Sequence, residues 1–244
     1  MKALIVIPAF NEGIKLTKVA ERVHSFLVQQ TSNVQYDAVL VDDASTDEQP
    51  AKLAQQYQFL LIRNENRSGV GFSLKRAYDY AIEKNYDAVV TMAGNNKDNP
   101  EEISRLLAPI VDGQADFVQG SRYLKSGTYG DMPLYRLLTT RFVHPILFSF
   151  VSGQRITDST NGFRAFRADF LKEARMDFHQ AWLDRYELEV YLFYYAIRLK
   201  YRVQEVGVSK IYPAKELGYS KMVPIVSWWS ILKPMFLLFF RIRK

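Results

Sequence analysis

The chain is expected to form an α/β fold, a mostly parallel sheet flanked by helices. Three observations predict it. Five runs rich in Val, Ile and Leu, each six or seven residues long, lie within residues 1–121. Helix-length stretches separate them. The runs are nearly continuous rather than alternating, as expected for parallel strands covered on both faces.

The elements follow in order. Residues 3–8 (ALIVIP) read as the first strand, 37–43 (DAVLVDD) as the second, 59–64 (FLLIRN) as the third, 87–92 (DAVVTM) as the fourth and 116–121 (DFVQGS) as the fifth. Helices are expected near 12–30, 48–57, 70–84 and 100–112. The last is started by Asn99 and Pro100, a cap followed by a residue suited to the first helical position. The N-terminus does not read as a signal peptide, because its short apolar run ends in Pro-Ala-Phe-Asn-Glu. Beyond residue 130, an amphipathic helix is expected over 133–151, a polar loop with a short strand over 157–167, an aromatic-rich helix over 181–200 and a strand over 203–213. No linker or repeat intervenes. The expectation is one domain, residues 1–222, with a C-terminal apolar and basic extension, 223–244.

The chain has 244 residues, 48% of them hydrophobic, enough for a large core. It contains no cysteine, which excludes thiolate chemistry and fits a reducing compartment. The net charge is +6. Residues 200–244 carry nine Lys/Arg against two Asp/Glu, so this segment holds the whole excess. Its aromatic and apolar content favours an anionic membrane surface over nucleic acid. His24, His144 and His179 show no metal-binding spacing.

In parallel sheets, ligands bind beyond the carboxyl ends of the strands. The polar residues there are the candidates. VDDASTD (41–47) places adjacent carboxylates, Asp42 and Asp43, before small hydroxyl residues. That suits a nucleoside, although Thr46 or Asp47 also suits a helix cap. Glu12 in IPAFNE reads either as a binding group or as a first-turn helix carboxylate. NRSGVGF (66–72) is a glycine turn opening a helix, not a phosphate loop, because no Gly-Lys-Ser/Thr follows.

Taken with AGNNKDNPEE, GSRY (120–123), DSTNGFRAF (158–166) and GYSKM (218–222), these segments resemble glycosyltransferase family 2. These are inverting nucleotide-sugar enzymes with the Rossmann-like GT-A fold. The resemblance is closest to the dolichol-phosphate mannose synthase and polyprenyl-phosphate glycosyltransferase type. It implies a nucleotide-sugar pocket lined by Pro8, Phe10, Glu12, Asp42, Asp43, Ala93, Gly94 and Asn95. It implies that Arg122 and Arg136 face an acceptor phosphate, and that Lys215, assisted by Lys221, lies near the donor pyrophosphate. Arg164 reads as a loop anchor.

One departure bears on the chemistry. The family pattern near residue 93 is Asp-Ala-Asp, then Gln two residues later. Here the matching residues are Ala93, Gly94, Asn95 and Lys97. Mg²⁺ or Mn²⁺ prefers carboxylate oxygens, leaving Asn95 and Asp98 as the candidate metal ligands. The alternative, equally open, is metal independence, with the Lys97 ammonium neutralising diphosphate. A lipid-phosphate acceptor is already an oxyanion and needs no base, whereas a saccharide hydroxyl does. Asp184 in WLDRYELE is the candidate base, with Glu187 and Glu189 behind it.

In the extension, Lys233 and Pro234 interrupt the apolar run 223–240. A central Lys costs about 2.5–3.5 kcal/mol to insert, and Pro234 is expected to break or kink a helix. An interfacial helix pair or a helix packed on the body is therefore expected rather than a span. The leading expectation is a hexosyltransferase acting on polyprenyl or dolichyl phosphate, peripheral on the cytoplasmic face of the membrane. Its rivals are a transferase to a saccharide acceptor in surface polysaccharide synthesis and a catalytically silent nucleotide-sugar binder.

Overall fold

All five apolar runs become strands in the computed structural model, which describes residues 1–212, 226–240 and 242. They are β1 (Lys2–Ala9), β2 (Gln35–Asp42), β3 (Leu60–Arg63), β4 (Ala88–Thr91) and β5 (Phe117–Ser121). The small strand β6 (Thr128–Tyr129) follows. Later strands are β7 (Arg164–Arg167), β8 (Val203–Gly207) and β9 (Ser209–Lys210). Seven strands form one sheet in the order β3-β2-β1-β4-β7-β5-β8. Its pairs are parallel except around β7, which runs antiparallel to β4 and β5. The register sets Ala9 beside Asp42 and Val6 beside Thr91. The ends of β1, β2 and β4 therefore share one edge, where the loops of the site begin.

Side-chain alternation along β1 explains why its run is apolar throughout. Leu4 and Val6 enter one core cluster, and Ala3, Ile5 and Ile7 enter the other. The second cluster takes Leu16, Val19 and Val23 from α1 (Ile14–Gln29), Leu53 from α2 (Gln49–Tyr57), and Ile103, Leu106 and Leu107 from α4 (Ile103–Val111). The first takes Leu74, Ala77 and Tyr78 from α3 (Val70–Glu83). Each fully buried large apolar side chain contributes about 1.5–3 kcal/mol over its exposed state.

The second half departs from the sequence reading in four places. Residues 133–151 are not one regular helix but α5 (Leu134–Leu138), a π-helical turn (Thr139–Val143) and α6 (His144–Ser152). The helix expected over 181–200 is a 3₁₀ turn at Ala181–Leu183 followed by α7 (Glu187–Arg198). The strand expected over 203–213 divides: β8 closes the main sheet, while β9 pairs with β6. Gly207 permits the crossing, because a Cβ there would meet the Gly127 nitrogen at 2.7 Å. Lastly, α8 (Val226–Phe239) runs through Pro234 rather than ending there. Met235 and Leu238 of α8 are buried in the first cluster, and its Phe239 ring lies 5.6 Å from Phe150 of α6. Among the described residues no helix is long and apolar enough to cross a membrane.

Candidate active site

Three loops at the sheet edge are tied together by their own polar groups. The Asp43 carboxylate accepts from Ser68 N at 2.8 Å, Gly69 N at 2.9 Å and Asn64 Nδ2 at 2.9 Å, so it fixes the turn that opens α3. Asp42 accepts from Ser45 N at 2.9 Å and lies 3.4 Å from Arg63 Nε. Ser45 in turn accepts from Asn11 N, and Asn11 accepts from Thr46 N. IPAFNE, VDDASTD and NRSG are thus one assembly. The glycines of NRSGVG serve close packing: a Cβ on Gly71 would overlap the carbonyl oxygens of Leu183 and Arg185.

Above this edge lies a cleft of about 970 Å³. Pro8, Phe10, Glu12, Asp43, Ala93, Gly94, Asn95, Lys97, Arg122 and Arg136 all line it. Arg67 stacks on the Phe10 ring at 4.3 Å. Gly94 leaves no room for a side chain, because a Cβ would meet Pro8 O at 2.8 Å. Asp42, Asp98 and Asp184 are not among the lining residues. Lys215 and Lys221 lie outside the described residues.

Asp98 is 1% exposed and fully engaged. One carboxylate oxygen accepts from Ala93 N at 2.9 Å, and the other pairs with Lys210 Nζ, which also donates to Asn161 Oδ1 at 3.0 Å. Asn99 caps the turn that follows by accepting from Glu101 N at 3.2 Å, with Pro100 next, as its sequence predicts. Lys97 is buried 4.6 Å from the Tyr212 ring centre, and Arg136 is 5.4 Å from the same ring. Burial lowers the Lys97 pKa to about 7, helped by repulsion from Arg136, Lys210 and Lys15 and opposed by Asp98.

The other expected residues take distinct positions. Arg122 is 2% exposed and grips Asp158, itself 0% exposed, through Nε at 2.6 Å and a terminal nitrogen at 2.7 Å. Burial alone would lower the Arg122 pKa, but Asp158 outweighs it and holds the guanidinium charged. Thr160 accepts from the same guanidinium at 2.6 Å. The Asp184 carboxylate accepts from Lys75 Nζ at 2.6 Å, outside the cleft lining. Glu189 does line the cleft. Arg164 donates to the backbone oxygens of Glu189 and Asn161, both at 2.7 Å, and so anchors the loop as expected.

Sequence reasoning passed over Lys15, Arg67, Lys210 and Tyr212, which also line the cleft. Lys210 and Tyr212 arrive through pairing that no local pattern announces: Ile211 N donates to Lys97 O at 2.8 Å, and Asp98 bridges to Lys210.

The elements that border one side of the cleft also carry exposed apolar side chains. Leu134, Leu138, Phe142, Ile146 and Phe150 recur every four residues along the α5–π–α6 run, and all are exposed. Phe236, Phe239 and Phe240 on and just after α8 add to it. Tyr135, Arg136, Val143 and Leu232 from the same elements line the cleft.

A divalent cation does not suit the donor atoms at the end of β4. Ala93 has none, Asn95 Oδ1 accepts from Lys97 N at 3.3 Å, and Asp98 is committed to Lys210 and Ala93. Among the described residues, no group of three or more His, Asp or Glu able to hold a metal occurs.

Comparisons with known proteins agree with this architecture. The polyprenol monophosphomannose synthase of Mycolicibacterium smegmatis is 30% identical over 226 residues, covering 91% of this chain and 81% of that protein. The undecaprenyl-phosphate mannosyltransferase of Micrococcus luteus is 27% identical, covering 91% and 88% respectively. The glucosyl-3-phosphoglycerate synthase of Mycobacterium tuberculosis, solved with Mn²⁺, UDP and glucosyl-3-phosphoglycerate, shares the fold at a TM-score of 0.68 and 17% identity, covering 100% of this chain and 81% of that one. The glycosyl transferase family 2 model matches residues 4–175. With that match over most of its length, the chain belongs to glycosyl transferase family 2.

Proposed function

We propose that this glycosyltransferase moves a hexose from a nucleoside-diphosphate sugar, a GDP- or UDP-sugar, to a polyprenyl or dolichyl phosphate. The observation that carries the reading is that the same elements, α5, α6 and α8, border the cleft and carry exposed apolar side chains. A lipid acceptor needs a greasy approach and a cation at its end, and Arg136 of α5 lines the cleft. The named activities of the Mycolicibacterium and Micrococcus relatives support the same acceptor class.

In this reading Pro8, Phe10, Glu12 and Asp43 hold the nucleotide. An acceptor phosphate oxygen attacks the sugar C1 in line. The C1–O bond to the donor diphosphate breaks, its electron pair leaves with the diphosphate, and the anomeric centre inverts. The nucleophile is already an oxyanion, so positioning and charge neutralisation dominate. No base is required, which fits an Asp184 carboxylate held by Lys75. The apolar stripe and the basic C-terminal segment would seat the protein peripherally on an anionic membrane, at the cytoplasmic face, with 223–244 as the attaching segment. Each Lys or Arg near such a surface adds about 1 kcal/mol.

Incubation with radiolabelled GDP- and UDP-hexoses, with and without polyprenyl phosphate, tests the reading. Label is expected in the organic phase only when the lipid phosphate is present. Label appearing instead on an added saccharide, and lost in Asp184→Asn, would replace it with the saccharide-acceptor reading.

A further inference from the structure

Two polar groups packed near the loop after β4 are not fully hydrogen-bonded among the described residues. Lys210 has three N–H donors; Asp98 and Asn161 take two, and the third has no partner among the described residues. The Tyr212 hydroxyl is buried, with the residue 5% exposed, and it too finds no hydrogen-bond partner among them. Both residues line the cleft, and the Tyr212 ring carries the Lys97 ammonium 4.6 Å from its centre. An unpaired buried hydroxyl costs free energy unless a ligand satisfies it.

We infer that Lys97, Lys210 and the Tyr212 hydroxyl bind the donor's diphosphate in place of a divalent cation. The inference rests on the reading of the cleft as a nucleotide-sugar site. The bound diphosphate favours the protonated form of the Lys97 amine, and when the C1–O bond breaks the negative charge that builds on the leaving group meets two lysine ammonium groups and a hydroxyl donor. Asp98 is a positioning residue: it holds Lys210 and the Ala93 amide, is buried, and does not line the cleft. The acidic residues that would bind Mg²⁺ or Mn²⁺ are thereby dispensable.

Calorimetric titration of the full chain with UDP and with GDP, in EDTA and then in Mn²⁺, tests this. The dissociation constant of the preferred nucleotide is expected to agree within about threefold in the two conditions. Lys97→Gln is expected to weaken it at least tenfold while leaving the affinity for the matching nucleoside within twofold. Tyr212→Phe, which keeps the ring, should weaken it several-fold with no loss of melting temperature, and so guards against misfolding of Lys210→Gln, which strands Asp98. Tenfold weaker binding in EDTA, or wild-type binding by Lys97→Gln, overturns the inference. So does a Lys97→Gln defect confined to a short-chain prenyl phosphate, which would assign the site to the acceptor. Binding that requires Mn²⁺ removes this inference alone; no nucleotide binding in any condition removes the donor-site reading as well.

Discussion

Arg122→Ala should act on folding before it acts on catalysis. The wild-type guanidinium makes a two-pronged ion pair with Asp158 at 2.6 and 2.7 Å, and both side chains are at most 2% exposed. Removing it leaves a buried carboxylate whose remaining donors are weaker: Arg122 N at 3.1 Å, Thr160 N at 3.2 Å and Thr160 Oγ1 at 3.3 Å. Breaking one side of such a buried pair costs about 3–5 kcal/mol, against a total stability of roughly 5–15 kcal/mol. For a chain of this size, each 1 kcal/mol lowers the melting temperature by about 2–4 °C, so a fall of roughly 6–20 °C is expected. Thermal unfolding followed by circular dichroism reads it. Arg122→Ala combined with Asp158→Ala should recover part of the loss, because the stranded charge is gone. A single variant within about 1 kcal/mol of wild type that nevertheless lost turnover would refute the reasoning, and would return Arg122 to direct contact with the acceptor phosphate.

Four further outcomes are expected. Burial lowers the His144 pKa to about 4, helped by Arg122 and opposed by Asp158, whereas the unfolded value is near 6.5. The unfolded chain then binds more protons between those values, so stability falls by about 3 kcal/mol as pH drops from 6.5 to 4; a His144→Gln variant should lose that slope in urea titrations. Gly71→Ala must displace the backbone of residues 183–185 and should destabilise by about 1–3 kcal/mol or more, read as a lower urea midpoint. Glutamate at both Ile146 and Phe150 should cut sedimentation with anionic vesicles at least tenfold, since each side chain contributes about 1.5–3 kcal/mol when buried; unchanged binding would place the membrane contact elsewhere. Arg136→Ala should raise the KM for lipid phosphate more than that for the nucleotide sugar, and equal effects on both would remove its acceptor role.

The first half of the fold was legible because its strands are covered on both faces. β1, β2, β4 and β5 carry runs of Val, Ile, Leu and Phe that a helix of ordinary amphipathicity would not. The edge they share, with Pro8, Glu12, Asp43 and Asn95 on it, followed from the parallel arrangement. β7 was less legible: RAFR is short, and its antiparallel direction is set by β4 and β5 together. The π-helical turn at Thr139–Val143 has no composition signal, because Thr140 and Phe142 fit a regular helix pattern equally well. At the site, sequence spacing identified charges but not their partners. Arg122 meets Asp158 across 36 residues and Asp184 meets Lys75 across 109, so two apparent reagents are engaged by partners that only the folded chain reveals. Lys210 was hidden for the same reason, within what read as a single strand.

The most direct test is the structure of the product. The purified protein, a GDP- or UDP-hexose and polyprenyl phosphate in mixed vesicles should yield a polyprenyl hexosyl phosphate with the anomeric configuration opposite to the donor's, identified by mass spectrometry and by phosphorus and proton NMR. A product bearing the hexose on a saccharide hydroxyl, or a lipid product that retains the donor's configuration, would contradict the account.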